Sequence, residues 1–170
     1  KDCKHGTMAK IVVVGGGLAA AKFVERLREL EFDGSVTVVA AEPYEPYERP
    51  PLSKKLLLGE PVGPAVLPST WWLDSNVELL TRTSATKIDR PSQQVELTNG
   101  QSISYDLLVL ATGARARILN LPGADRARSL RTVDDSRSLA SALSARSRLV
   151  IVGAGWIGLE VAAAARTRGV

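Results

Sequence analysis

A strand–glycine–helix unit at the start of the chain constrains its fold more than any other feature. Four apolar residues, 11–14, lead directly into a glycine-rich loop, and over residues 18–30 apolar side chains recur every three positions between charged ones. The first pattern is typical of a strand buried on both faces, and the second of an amphipathic helix. A β-branched run follows at residues 35–40 after the turn at Asp33-Gly34. Together these segments predict a βαβ unit.

The loop of this unit has the spacing Gly15-x-Gly17-x-x-Ala20, with Leu18 and Ala19 between. A dinucleotide pyrophosphate must approach backbone N–H groups at a helix N-terminus. Gly15 would permit the tight turn, Gly17 would leave room for the phosphate, and Ala20 would let helix pack closely on strand. Glu42 follows Ala20 by 22 residues, where an acid should bind a ribose. A plain glycine-rich turn is the alternative, but the order of elements favours a dinucleotide site.

The same pattern returns at the end of the chain. An apolar segment at 149–152 predicts a strand, and Gly153-x-Gly155-x-x-Gly158 then opens a second helical pattern. The sequence ends at Val170, before the acid of this second unit, so we expect the unit to be truncated and residues 1–170 alone not to turn over NADH. Two such motifs imply two dinucleotides, and a flavin with a nicotinamide is the natural pair because hydride passes between them.

Short strand patterns between residues 77 and 104, with a hairpin signal at Asn99-Gly100, predict an antiparallel insertion. A buried-strand pattern at 107–111 then ends at Thr112-Gly113. The predicted fold class is α/β. It comprises a Rossmann-like domain with a parallel sheet, helices on both faces and the insertion, followed by the first β–α unit of a second Rossmann-like domain.

Composition adds a few limits. The single cysteine, Cys3, lies in residues 1–7, which we interpret as a leader before a start at Met8. The chain therefore offers neither a disulfide framework nor a dithiol pair, and we expect a cytoplasmic setting.

The net charge is +4, and eight arginines fall between Arg115 and Arg148. They indicate either a solvated surface or one that steers an acidic partner. No aromatic residues interleave them, which argues against nucleic acid. Neither a metal-ligand set nor a membrane-spanning run is apparent.

Four segments carry a family resemblance: the Gly15 loop, the stretch Tyr47-Glu48-Arg49-Pro50-Pro51-Leu52-Ser53-Lys54, residues 110–113, and residues 153–160. With them the chain resembles the FAD- and NAD(P)H-dependent pyridine nucleotide oxidoreductases, and within these the ferredoxin reductases of oxygenase systems. The stretch from Arg49 to Lys54 is the most specific. Where related disulfide reductases hold a redox-active cysteine pair, this chain has none, so the resemblance implies that electrons leave the flavin for an external carrier.

The resemblance also implies roles for single residues. Ala19 would contact the FAD pyrophosphate through its backbone, Glu42 would bind the adenosine ribose, and Ala85 would meet the adenine through its main chain. Lys54 would lie beside the isoalloxazine ring and Glu160 near the nicotinamide, and these two are the catalytic candidates. The remaining cofactor-binding candidates are Leu18, Arg49, Ala111, Thr112, Gly113, Arg131, Gly153, Gly155, Ile157 and Gly158.

The function that follows is transfer of electrons from NADH through FAD to a small acidic iron–sulfur carrier of the ferredoxin or rubredoxin type. An NAD(P)H oxidase, a monodehydroascorbate-type reductase and a non-catalytic FAD-binding module are the alternatives, and self-association of the truncated chain is a further possibility. We predict a leader at 1–7, an FAD-binding segment at 8–114, a connecting segment at 115–147 and the start of an NAD(P)H-binding domain at 148–170.

Overall fold

The computed structural model describes residues 9–61, 63 and 65–170, and it divides them into two compact units. The first unit contains the described residues up to Glu48 and those from Ala65 to Gly113. The second contains those from Arg49 to Gly63 and from Ala114 to Val170. The predicted leader with Cys3 and the predicted start at Met8 lie outside the described residues.

Strands dominate the first unit. Its elements, within the described residues, are β1 (Ile11–Val14), α1 (Leu18–Glu29), β2 (Val36–Val39), α2 (Ser69–Asp74), β3 (Val77–Leu80), β4 (Ala85–Asp89), β5 (Gln94–Leu97), β6 (Ser102–Ser104) and β7 (Leu107–Leu110).

A parallel four-stranded sheet forms the centre of this unit, with the strand order β3-β2-β1-β7. Val13 lies opposite Val38 of β2 on one side and Val109 of β7 on the other. The predicted βαβ unit, β1-α1-β2, is confirmed. β3 pairs in parallel with β2, so placing residues 77–80 in the antiparallel insertion was wrong. The insertion itself is confirmed as the sheet β4-β5-β6.

The two faces of the parallel sheet are covered differently. Ile11 and Val13 pack with residues of α1 and with Trp72 of α2. Val12 and Val14 point to the opposite face, as alternation along a strand requires, and pack with Val95 and other residues of the insertion. The prediction of helices on both faces was therefore wrong for this unit. The apolar pattern of β1 requires cover on both sides, and a second sheet supplies it as well as a helix does.

The second unit is mainly helical. Its elements are 3₁₀ helices at Pro50–Ser53 and Ala124–Arg126, α3 (Val133–Ala142) and α4 (Trp156–Thr167). Thr132 caps α3: its side chain accepts the Asp135 N–H, and the Asp135 side chain accepts the Thr132 N–H in return. The core of the second unit contains Leu57, Leu139, Leu143, Val161, Ala164 and Ala165.

The strand predicted at 149–152 does not form in the described residues. A strand needs a hydrogen-bonded neighbour, and none of the described strands pairs with this segment. Val150 and Val152 remain 85% and 74% exposed. The predicted strand was therefore wrong for the described residues, because an apolar pattern indicates a segment suited to burial but burial also requires a partner. No helix in the described part of the chain is long and apolar enough to cross a membrane.

Candidate functional site

The N-terminus of α1 presents backbone donors without a side-chain cap. Gly17 is the N-cap residue in an extended conformation, and no side chain caps the helix there. The first turn of α1 also holds no acidic residue that could occupy the positive end of the helix dipole. Leu18 and Ala19 are exposed at this end, whereas Ala20 is fully buried against the sheet. This arrangement suits an anionic ligand.

Gly15 and Gly17 serve different purposes in the loop. Gly15 has a φ of +128°, and a Cβ there would lie 2.0 Å from the carbonyl oxygen of Ala111. A Cβ on Gly17 would meet nothing within 4 Å. Gly15 is therefore required by the fold itself. The space over Gly17 is open, as a phosphate approaching the helix would need.

Two neighbouring strand ends meet this loop. The Gly15 N–H donates to Val39 O at 2.9 Å, and the Ala111 N–H donates to Val14 O at 2.8 Å. α1 connects β1 to β2 on one side, whereas β7 lies on the other side of β1. The loop therefore lies where the strand order reverses, which is the location that open α/β sheets use for ligands. The predicted group Ala111, Thr112 and Gly113 lies at this edge.

Glu42 follows β2 at the same edge. The Tyr47 hydroxyl donates a hydrogen bond to Glu42 Oε2, and Tyr47 is 6% exposed whereas Glu42 is half-buried. The Arg82 N–H donates to the Glu42 carbonyl at 3.1 Å, which brings the segment leading into Ala85 to the same place. The structure therefore gathers the Gly15 loop, Glu42 and residues 111–113 at one edge of the sheet, and β4 with Ala85 begins three residues after Arg82. Tyr47 was part of the resemblance, but the sequence did not indicate its contact with Glu42.

The second glycine loop resembles the first in outline. Gly153 has a φ of +110°, and Gly155 is the N-cap residue of α4, with no side-chain cap and no acid in the first turn. A Cβ on Gly158 would lie 2.7 Å from the Gly153 carbonyl oxygen, whereas Gly153 and Gly155 face open space. Ile157 is 56% exposed. This helix end also suits an anionic group.

Glu160 and Lys54, predicted separately, lie together. Lys54 Nζ is 3.1 Å from Glu160 Oε1, and the Ser53 hydroxyl donates to Glu160 Oε2. The hydrogen bond from Ser53, then the hydrogen bond and charge of Lys54, hold the pKa of Glu160 below its ordinary value. The carboxylate is therefore ionised at neutral pH. Ser53 could not be predicted as a partner of Glu160, because the only signal for it was its place in the stretch from Arg49 to Lys54.

Arg49 and Arg131 also lie side by side. The Arg49 guanidinium donates to the Arg131 carbonyl. The Arg131 N–H donates to Asp135 Oδ2 and its Nε to the Ala114 carbonyl, both at 2.9 Å. Arg131 is therefore part of the cap of α3. Its predicted contact with FAD stays a prediction.

Comparisons with known proteins agree on one family. The model of the pyridine nucleotide-disulphide oxidoreductase family matches residues 9–170. Rhodocoxin reductase of Rhodococcus erythropolis is 44% identical over 163 residues, which cover 94% of this chain and 38% of that protein. The ferredoxin–NAD(+) reductase subunit of a benzene 1,2-dioxygenase system from Pseudomonas putida is 36% identical, with 94% and 40% covered. The crystal structure of the covalent putidaredoxin reductase–putidaredoxin complex matches with a TM-score of 0.88 and 36% identity, covering 96% of this chain and 41% of that one. The chain thus spans about two fifths of the length of these relatives.

Proposed function

The chain belongs to the pyridine nucleotide-disulphide oxidoreductase family, and we propose that it carries the FAD site, and part of the NAD(H) site, of a ferredoxin reductase. In the proposed reaction NADH reduces FAD, which then releases single electrons to an iron–sulfur carrier. FAD supplies this two-electron to one-electron chemistry, and the protein binds, orients and tunes it.

The geometry of the Gly15 loop carries the proposal. An uncapped helix N-terminus, open space over Gly17 and a carboxylate at Glu42 occur together where the strand order reverses. These features fit a pyrophosphate and a ribose of one dinucleotide. We assign FAD, and not NAD, to this loop because the same chain contains residues 49–54. By resemblance to the family, this stretch ends in the lysine that lies beside the flavin ring. Under this proposal residues 8–114 are the FAD-binding segment, 115–147 connect, and 148–170 begin the NAD(H)-binding domain.

Lys54 and Glu160 are the proposed residues of the redox centre. A Lys54 ammonium beside the flavin would stabilise its reduced, anionic form. The Lys54 side chain is about half-exposed to solvent, whereas most of the Glu160 side chain is covered. In this pair the ammonium is therefore accessible and the carboxylate is the more confined group. Glu160 lies on α4, directly after the second glycine loop. It is the group that we propose faces the nicotinamide.

The proposed electron acceptor is a small acidic iron–sulfur protein. Arg115, Arg117, Arg126 and Arg128 are exposed, and the segment 114–148 contains eight arginines but only three acidic residues. A surface of this sign attracts an acidic partner and accelerates encounter. The relatives include ferredoxin reductases and the reductase of a putidaredoxin complex, which supports a carrier of the ferredoxin type. A cytoplasmic location stays a prediction.

The experiment uses the protein in the full length that its gene encodes. We expect a yellow protein that releases FAD on extraction, loses its absorbance with NADH under anaerobic conditions, and regains it with oxidised ferredoxin. Recovery of FMN alone would contradict the assignment of the first site. A flavin inert to NADH would indicate a binding module, and rapid reoxidation by oxygen alone would indicate an oxidase.

A further inference from the structure

Ser53 stands at the end of a turn that the second unit holds at several points. The Ser136 hydroxyl donates to the Leu52 carbonyl at 2.6 Å, and Arg168 donates to the Leu57 carbonyl at 2.6 Å. Ser53 itself is 5% exposed. Its side chain therefore projects from a fixed backbone, and a hydroxyl there has few directions in which to donate.

Two acceptors lie within reach of the Ser53 hydroxyl. The Pro50 carbonyl is 3.5 Å from Ser53 Oγ, at the limit of a hydrogen bond, whereas Glu160 Oε2 is much closer. A serine has one proton to donate, so the proton points to Glu160. Lys54 donates to the other carboxylate oxygen of Glu160. With donors at both oxygens, the arrangement accommodates the ionised form of Glu160.

The two contacts of Glu160 differ in rigidity. The Lys54 side chain is 52% exposed, and exposed ion pairs are weak because solvent and salt screen them and long side chains lose entropy. Ser53 is buried on an anchored turn, so its hydrogen bond is ordered at little further cost in entropy. The group that fixes Glu160 is therefore Ser53, and Lys54 follows the carboxylate.

We propose that Ser53 is a positioning residue of the redox centre, whose buried hydroxyl fixes the Glu160 carboxylate and through it the Lys54 ammonium. This inference rests on the proposed function, because it is the transfer from NADH to the flavin that Ser53 would assist. The lowered pKa of Glu160, to which Ser53 contributes most, agrees with this role.

Lys54 is the charged partner of Glu160, and the other charged groups on the neighbouring elements have hydrogen bonds elsewhere. On α4 itself, Arg166 donates to the Val170 carbonyl, and Arg168 to Leu57. On the turn, Arg49 donates to the Arg131 carbonyl. Of the α3 acids, Asp135 is engaged in the cap of its own helix. Among the described residues, Lys54 is the charged group that contributes to the pKa of Glu160.

A double-mutant cycle tests the proposal in the holoenzyme, with Ser53→Ala, Glu160→Ala and their combination. The rate constant for flavin reduction by NADH is measured by stopped flow. Ser53→Ala should slow reduction by about tenfold or more, the effect of one hydrogen bond to a charged group, with FAD content unchanged. In the Glu160→Ala background the same change should alter the rate by less than about twofold. Ser53→Thr, which keeps the hydroxyl, should retain most of the rate.

Ser136→Ala is the matched control because Ser136 is also buried and also anchors the turn, but bonds the Leu52 carbonyl and not Glu160. Its effect on the rate should depend on Glu160 much less than the effect of Ser53→Ala does, because Arg168 still anchors the turn. Equal coupling of Ser136 and Ser53 to Glu160, or additivity of Ser53 and Glu160, would overturn the proposal.

The same cycle in chemical unfolding of the holoprotein separates this proposal from the proposed function. A wild-type flavin that NADH does not reduce contradicts the proposed function. The unfolding cycle then still decides the Ser53 assignment: coupling with Glu160 that Ser136 lacks supports it, and additivity refutes it.

Discussion

Replacing Glu42 with alanine should weaken FAD binding without unfolding the first unit. Glu42 is half-buried beside the Gly15 loop, and Tyr47 fixes one of its oxygens. A hydrogen bond between a carboxylate and a ribose hydroxyl involves a charged acceptor and is worth about 1.5–3 kcal/mol. Its loss corresponds to a dissociation constant raised by roughly tenfold to a hundredfold. The assay is titration of the apoprotein with FAD, in which quenching of the flavin fluorescence reports binding.

Two further variants isolate the cause of this effect. Glu78→Ala removes another glutamate from the same sheet, where the side chain is exposed and accepts a hydrogen bond from Thr37 at 3.1 Å. It should leave FAD affinity unchanged. Tyr47→Phe keeps the carboxylate but removes the hydroxyl that holds it, so its effect should be smaller than that of Glu42→Ala. Unchanged affinity in Glu42→Ala, or an equal loss in Glu78→Ala, would refute the assignment of the ribose to Glu42.

Three other predictions concern the loop and the redox centre. Gly15→Ala should prevent stable folding, since its Cβ would collide with the Ala111 carbonyl, whereas Gly17→Ala should fold with a normal melting curve but retain little FAD on extraction. Lys54→Met should lower the FAD midpoint potential by an amount on the order of tens of millivolts, limited by solvent screening of a half-exposed cation, and an unchanged potential would mean that Lys54 does not face the flavin. Because the folded-state pKa of Glu160 is lowered, its contribution to stability is present above the ordinary pKa and lost as the pH falls through the lowered one. The difference in Tm between wild type and Glu160→Gln should therefore be largest at neutral pH and disappear in strong acid, and a difference independent of pH would contradict this reasoning.

The sequence predicted those features whose physical cause is local. The Gly15 loop needs a tight turn and an open helix end, and both are encoded within six residues. The position of Glu42 beside the Gly15 loop could be predicted because the length of one helix and one strand determines how far along the chain the end of β2 falls. In both cases the distance in sequence sets the distance in space, so spacing alone was sufficient.

Features created by tertiary contact could not be predicted in the same way. Ser53 and Glu160 are 107 residues apart, and no periodicity links a serine to one particular carboxylate. The resemblance placed Lys54 and Glu160 near different cofactors, and the structure joins them as an ion pair. The cover of the parallel sheet was missed for a related reason, because the apolar alternation of β1 requires burial on both faces but does not determine what provides it.

The two glycine motifs have the same spacing, with Ala20 in the first where the second has Gly158, yet their glycines have different steric surroundings. In the first, Gly15 is the position at which a Cβ would collide with the neighbouring strand end, and Gly17 faces open space. In the second, Gly153 and Gly155 both face open space, and Gly158 is the crowded position because the Gly153 carbonyl lies 2.7 Å from its Cβ site. The motif therefore specifies a set of requirements, namely a turn, an open helix end and a close helix contact. Which glycine satisfies the packing requirement depends on the strands beside the loop: β7 lies against Gly15, whereas no described strand borders Gly153. An alanine at the first glycine should thus damage the first unit far more than the second. Gly153→Ala would still be strained, because the φ of Gly153 is +110°, so the variant that tests ligand access in the second motif is Gly155→Ala, whose Cβ would face open space.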